Sequence, residues 1–310
     1  MQARSPDVPQ KVAAIVGATA VGKTELSIAV AEALGAEIVC VDSMQIYRGM
    51  DIGTAKPDGE LRTRVRHHLL DVFEPSEDVS VAEFQRLARD AIEDIAGRGR
   101  LPLLVGGSGL YHRAVVDDLR FPPRSPEVRS ALEAEIEDLG SAALHERLRA
   151  LDPVAAERIE PTNQRRIVRA LEVIEVTGKR FSATDAWDRY ESIYSLAVAG
   201  LIRPREVLFE RIERRTDAML EAGLIEETER LTEKSPNLTA RQALGYRQIL
   251  DSPGAPRQEL REAIVRATKR FARRQESWFR ADPRVEWFDG ERPDAAGEVV
   301  AFLRDSLALT

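Results

Sequence analysis

Residues 11–24 read KVAAIVGATAVGKT, and this stretch decides the fold. Its first half, KVAAIVG (11–17), is a short apolar run rich in branched side chains and bounded by glycine, the pattern of a strand buried on both faces of a parallel sheet. Its second half, GATAVGKT (17–24), satisfies G-x-x-x-x-G-K-[ST] in full, after a buried strand and at the opening of a helix. Glycines let the backbone wrap a phosphate, the freed N–H groups and the helix N-terminus attract the anion, and the lysine adds a point charge. Gly17, Ala18, Thr19, Ala20, Val21, Gly22, Lys23 and Thr24 are therefore read as a phosphate loop, with the Thr24 hydroxyl available to Mg²⁺. The motif specifies a polyphosphate, not ATP.

Working outward, the spacing predicts a helix over 23–34 with Leu26, Val30, Ala33 and Leu34 on one face, ended by Gly35. EIVCVD (37–42) reads as the next strand, 81–95 as an amphipathic helix through Phe84, Leu87, Ala88, Ala91 and Ile92, and LPLLVGGSGLY (101–111) as a third buried strand running into a glycine-rich turn. This alternation predicts an α/β fold with a P-loop NTPase-like parallel sheet. At FPPRSPE (121–127) the character changes to helix signals alone. Ser125, Pro126 and Glu127 open one helix, with Val128, Leu132, Ile136 and Leu139 as its stripe; Leu144, Leu148 and Leu151 follow. Asp152-Pro153 starts another helix, and 163–176 a further one with Ile167, Leu171 and Ile174 inward. The expected architecture is a core of 1–120 and 188–310 interrupted by an all-helical insertion, 121–187, with a strand returning at SIYSLAVAGLI (192–202).

The composition, 43% hydrophobic and 31% charged over 310 residues, is that of a soluble chain with a real core. No apolar run approaches the roughly 18 to 20 residues of a membrane span, and the first residues, MQARSPDVPQK, hold no apolar signal core. A single cysteine, Cys40, excludes a disulfide framework and a cysteine-rich zinc site. A cytoplasmic protein without a membrane partner is expected. A net charge of −7 argues against indiscriminate coating of nucleic acid but leaves room for a local basic stripe.

Several residues carry chemistry. Asp42 closes the second strand, at the carboxyl edge where α/β sheets hold ligands. It reads either as a base or Mg²⁺-water ligand, or as a turn acid. Arg215 falls in the inward register of the 205–222 helix, between Leu208, Ile212 and Met219, and either meets an anion, a carboxylate of the protein or a diphosphate oxygen, or snorkels to solvent. Arg266, Lys269, Arg270, Arg273 and Arg274 recur at three- and four-residue steps with few acids near them in sequence, suiting a phosphate backbone. Arg165, Arg166 and Arg169 form a second group, read as cations displayed for phosphates. His67-His68 reads as packing and hydrogen bonding. LPLLVGG runs into glycine where a motor ATPase carries an acid, which argues against that class.

Long motifs then resemble those of the tRNA dimethylallyltransferases. VDSMQIYRGMDIGTAKP (41–57) is similar to the family's most diagnostic segment; HHLLDVFEPSEDVSVAEF (67–84), GGSGLY (106–111), PTNQRRIVRALEV (161–173), ALGYRQ (243–248) and RRQESWFR (273–280) follow in the family's order. Departures are small: Ser108 and Ser277 stand where threonine is usual, and Arg273 where lysine is common. The zinc finger of eukaryotic members is absent. The resemblance implies transfer of a dimethylallyl group from its diphosphate to the exocyclic amine of the adenosine just 3′ of the anticodon. It implies that Lys23, Thr24, Mg²⁺ and Arg215 neutralise the leaving diphosphate, that Asp42 takes the amine's proton, and that Ser43, Met44 and Gln45 frame the adenine. Ser108 would contact the tRNA near the reaction channel. Three segments would grip the anticodon stem-loop: Gln164, Arg165, Arg166, Ile167 and Val168; Arg241, Gln242, Ala243, Leu244, Gly245 and Tyr246; and Arg273, Arg274, Gln275, Trp278 and Arg280. A monomer is expected. Read from the residues alone, a small-molecule kinase using ATP and a non-catalytic nucleotide-binding RNA module stay open.

Overall fold

A computed structural model describes residues 9–184 and 189–309. The expected boundary at 187/188 and the first eight residues, on which part of the leader reading falls, lie outside the described residues. The chain separates into two compact units, one of Met1–Asp117 with Tyr190–Thr310 and one of Asp118–Arg189.

The first unit begins β1 (Lys11–Gly17), α1 (Lys23–Leu34), β2 (Ala36–Cys40), α2 (Gly59–Arg64), β3 (His67–His68), α3 (Val81–Gly97), β4 (Leu101–Gly106) and α4 (Gly109–Val116). The second carries α5 (Pro126–Leu139), α6 (Ser141–Leu151), α7 (Pro153–Arg158) and α8 (Gln164–Thr177). The chain then returns to the first through β5 (Ser195–Ile202), α9 (Arg205–Glu221), α10 (Leu224–Glu233), α11 (Leu238–Arg241), α12 (Tyr246–Leu250), α13 (Arg257–Arg280), β6 (Val285–Asp289) and α14 (Ala295–Leu307).

The described strands make one six-stranded parallel sheet in the order β3-β2-β4-β1-β5-β6. β1 lies between β4 and β5, and each of its faces packs into a core, so its apolar run has no polar alternation. Val12, Ala14 and Val16 enter one core with Val39, Phe84 and Phe279; Ala13 and Ile15 enter the other with Ile28, Leu103 and Leu303. No described helix is long and apolar enough to cross a membrane.

The differences from expectation are local. On α1 the buried residues are Ser27, Ile28, Val30 and Ala31, while Ala33 is exposed. The cause is α14, which packs on α1 from a distant part of the sequence and rotates the covered face. β4 stops at the expected glycine-rich turn, at Gly106, but a helix not expected there, α4, begins at Gly109. β6, VEWFD, escapes a search for apolar runs because it is an edge strand with two of its five residues exposed to solvent.

The helical unit is capped as its sequence suggests. The Ser125, Asp152 and Asn163 side chains accept the N–H groups of Val128, Ala155 and Arg166, and Gly178 ends α8 with φ 66°. Leu132, Ile136, Leu144, Leu148, Ile167 and Leu171 form its core. Leu139 and Leu151, expected inward, sit exposed on the last turns of α5 and α6.

Candidate active site at the carboxyl edge of the sheet

The loop between β1 and α1 is held as an anion cradle. Gly22 sits at the N-cap of α1 with φ 108°, a conformation glycine adopts without steric cost. The first N–H groups of α1 have no intrahelical partner and remain for a ligand. Lys23 Nζ donates to the Gly17 and Ala18 carbonyls at 3.0 and 2.8 Å. Burial, and then the charge of Arg215, lowers its pKa from 10.5 to about 8. Arg211 and Arg215 come in from α9: Arg211 Nε donates to the Ala20 carbonyl at 2.8 Å, and Arg215 Nη1 reaches the Thr19 hydroxyl at 3.5 Å. Burial lowers the Arg215 pKa against the opposing pull of Asp42. Cations held in so dry a place mark a site short of negative charge, the electrostatic signature of an anion-binding pocket. Of the two partners open for Arg215, no described carboxylate lies at ion-pair distance.

Two cavities open here, of about 580 and 570 Å³. The first is lined by Lys23, Thr24, Lys56, Arg211 and Arg214; the second by Ser43, Met44, Ser108, Leu244, Arg270 and Arg274. Thr19, Asp42 and Arg215 line both. Asp42 is a turn residue and a wall residue at once. Its Oδ1 accepts the Met44 and Gln45 N–H groups at 2.8 and 3.3 Å, which makes the turn, and the carboxylate faces both cavities from the shared wall.

No group of three or more His, Cys, Asp or Glu capable of holding a metal occurs among the described residues. The oxygen donors facing the first cavity include the Thr24 hydroxyl and the Asp42 carboxylate. This set fits a hard divalent cation that takes its remaining ligands from phosphate and water.

Other expected residues serve as walls and struts. Gln45 lines the first cavity, but its amide donates to the Thr54 and Ala55 carbonyls at 3.0 and 3.3 Å and accepts from Cys40 Sγ at 2.8 Å. Gln275, expected on a tRNA surface, is buried; it accepts the Thr19 N–H at 2.9 Å and donates to the Gly107 carbonyl at 2.7 Å, tying α13 to the phosphate loop. Trp278 stays 40% exposed, with its indole against Gly109, where any Cβ would collide with it. Ser108 is the N-cap of α4 and lines the second cavity. Tyr246 and Ala243 are core residues, a correction to their expected place on the tRNA surface, while Arg241 and Gln242 are exposed and Gln242, Leu244 and Gly245 line the second cavity.

Tyr246 donates to Glu227 Oε1 at 2.5 Å, and the same buried carboxylate accepts the Asp51, Ile52 and Gly53 N–H groups. This fixes the loop carrying Thr54, which borders both cavities. Glu227 was not legible, because an acid pair opening a helix reads as solvated. Arg211 and Arg214 were within reach: they precede Arg215 by one turn or less on α9.

In the helical unit, Gln164, Arg165 and Arg166 are exposed, but Ile167 and Val168 are buried in its core and present no side chain to a ligand. Arg169 is not a displayed cation. Its Nη1 bonds Glu172 at 2.9 Å and its Nη2 the Pro122 carbonyl at 2.8 Å, because the fully buried Glu172 requires a partner. On α13 the stripe is partly paired as well: Lys269 bonds Glu213 at 2.5 Å and Arg266 bonds Glu262 at 3.5 Å. Arg270, Arg273, Arg274 and Arg280 are exposed, with no described carboxylate at ion-pair distance. His67 and His68 hydrogen-bond the Val65 carbonyl and Glu37, each at 2.8 Å.

A model of the IPP transferase family matches residues 45–282. A tRNA dimethylallyltransferase of Thermobifida fusca is 52% identical over 301 residues, 94% of each chain. One of Moorella thermoacetica is 49% identical over 319 residues, 97% of this chain and 96% of that one. Among solved structures, the tRNA isopentenylpyrophosphate transferase of Bacillus halodurans superposes with a TM-score of 0.72 at 42% identity, covering 96% of this chain and 97% of that one. A eukaryotic dimethylallyltransferase, described as acting on tRNA, gives 0.83 at 26% identity over 96% of this chain and 80% of that one. With the phosphate loop, the paired cavities and this similarity along nearly its whole length, the chain belongs to the IPP transferase family.

Proposed function

We propose that this protein transfers the dimethylallyl group of dimethylallyl diphosphate to the exocyclic amine of the adenosine immediately 3′ of the anticodon in tRNA. The observation that carries the reading is the wall shared by the two cavities. A cation-lined compartment suited to a diphosphate meets a second compartment at Asp42, where a nucleophile from one side can reach a carbon held from the other.

The amine nitrogen attacks C1 of the prenyl group, the C1–O bond breaks, and diphosphate leaves with the bonding pair. Lys23, Arg215 and the N-terminus of α1 stabilise that charge, which is largest in the transition state. Asp42, already anchored through Oδ1, accepts the amine's proton. Mg²⁺ would be held by Thr24 and Asp42 and would add a further positive charge beside the diphosphate. The flipped adenine enters beside Ser43 and Met44, with Ser108 at the mouth of the glycine turn. Arg241 and Gln242, together with Arg273, Arg274, Trp278 and Arg280, supply exposed contacts for the anticodon stem-loop, and Gln164, Arg165 and Arg166 supply others from the insertion. Ile167, Val168, Ala243, Tyr246 and Gln275 support these surfaces from behind. The protein works as a cytoplasmic monomer.

The test is mass spectrometry of nucleosides from unmodified tRNA incubated with the protein, Mg²⁺ and dimethylallyl diphosphate. Isopentenyladenosine at one position per tRNA, formed without ATP, is expected. Unaltered tRNA together with stoichiometric ATP consumption on a small alcohol would replace this reading with the kinase.

A further inference from the structure

We propose that Arg203 and Arg211 are positioning residues: they hold the phosphate loop in its anion-receiving shape by occupying its carbonyl oxygens. The inference rests on the donor assignment made above.

The crest of the loop is strained. Ala20 has φ 63°, in the left-handed region that residues bearing a Cβ adopt rarely. Two arginines from outside the loop act at this point. Arg211 Nε, on α9, donates to the Ala20 carbonyl, and Arg203 Nε, in the link from β5 to α9, donates to the Val21 carbonyl, each at 2.8 Å. Arg203 Nη2 also bonds the Gly290 carbonyl, just past β6, and Gly290 admits this approach because a Cβ there would lie 3.3 Å from Arg203 Nε. Lys23 takes the Gly17 and Ala18 carbonyls, so four loop carbonyls in all point at cations.

A trans peptide sets its C=O and N–H on opposite sides. Turning the Val21 carbonyl onto Arg203 therefore sets the Gly22 N–H away from it, at the end of α1 where an anion binds. Arg203 spans two carbonyls from separate segments, which one lysine ammonium on a flexible stem reproduces poorly. The two guanidinium groups also repel each other, so they share this place only because carbonyls receive them; burial, and then Arg211, lowers the Arg203 pKa.

The experiment compares the parent, Arg203→Met, Arg203→Lys and Arg211→Met, each with and without Ala20→Gly. Dimethylallyl diphosphate binding with Mg²⁺ is followed by calorimetry, alongside tRNA affinity and the single-turnover rate at saturating donor. Arg203→Met should weaken donor binding about tenfold, the scale of a hydrogen bond to a charged group. Its tRNA affinity should not change, and its rate at saturating donor should change less than its affinity. Arg203→Lys should fall between. Ala20→Gly should recover part of the loss in the methionine variants, since glycine enters the left-handed region freely. Donor affinity equal to the parent's in Arg203→Met and Arg211→Met, or a loss that Ala20→Gly leaves untouched, overturns the proposal. If Arg203→Met fails to fold, Arg203→Lys and Arg211→Met carry the same comparison. A folded parent that binds no dimethylallyl diphosphate overturns the donor assignment itself, and is told apart because no variant then has a signal to lose.

Discussion

The two cavities differ in how they keep their cations. In the first, Lys23, Arg211 and Arg215 are partly buried and tied to loop carbonyls or a hydroxyl, so they are held in place before a ligand arrives. In the second and along α13, Arg270, Arg273 and Arg274 are exposed, with no described carboxylate at ion-pair distance. Buried cations in fixed geometry suit a small, highly charged ligand and are weakly screened by salt. Exposed ones suit an extended polyanion and are strongly screened.

The largest expected effect falls on the wall between them. Asp42→Asn keeps the shape of the turn and removes the base, so single-turnover rate should drop by about 10²- to 10⁴-fold. The tRNA affinity, measured separately, should stay near the parent's. An unchanged rate would make Asp42 a turn residue only and leave the shared wall without chemistry.

Next comes the exposed side. Replacing Arg270, Arg273 and Arg274 by alanine should weaken tRNA binding and flatten its dependence on salt, by a slope of roughly 0.7 to 0.9 for each phosphate that is no longer neutralised. Donor binding across the same salt series should hardly respond. Equal salt slopes for both ligands would erase the contrast between the cavities.

The smallest effect is one of pH. Lys23 in the free protein has a pKa lowered to about 8, chiefly by burial. Below that pH it carries its proton, and a bound diphosphate raises the pKa by adding negative charge. Donor affinity should therefore be flat below about pH 8 and fall above it, by about tenfold at pH 9, because binding must then take up a proton. Calorimetry at pH 7 and 9 in buffers of different ionisation enthalpy reads the affinity and the proton together. An affinity constant to pH 9 would mean that Lys23 stays charged in its dry position.

How a charged residue is used was the least legible property. Arg165, Arg166 and Arg169 look alike in a helix pattern, yet only the first two are exposed; Arg169 turns inward to Glu172, whose burial nothing in its own neighbourhood announces. Lys269 and Arg270 are adjacent, yet one is paired to Glu213 on α9 and the other has no described carboxylate at ion-pair distance. The inward placement of Arg215, by contrast, was legible, because it follows from the apolar stripe of its own helix.

The sequence by itself determined four strands of the sheet (β1, β2, β4 and β5), the loop and the helical character of the insertion. Each rests on neighbours a few residues apart: the apolar run of β1, the glycine and lysine spacing of 17–24, and the caps at Ser125, Asp152 and Asn163. Local spacing fixes backbone conformation because hydrogen bonds and dihedral preferences act over a turn or a strand. Only the tertiary structure decided which side chains meet: Gln275 on Thr19, Glu227 beneath the 51–53 turn, Arg203 on Val21. These pairs join residues more than 170 positions apart. Their geometry is set by how helices pack on the sheet, and a one-residue rotation of any helix would present a different face to the site.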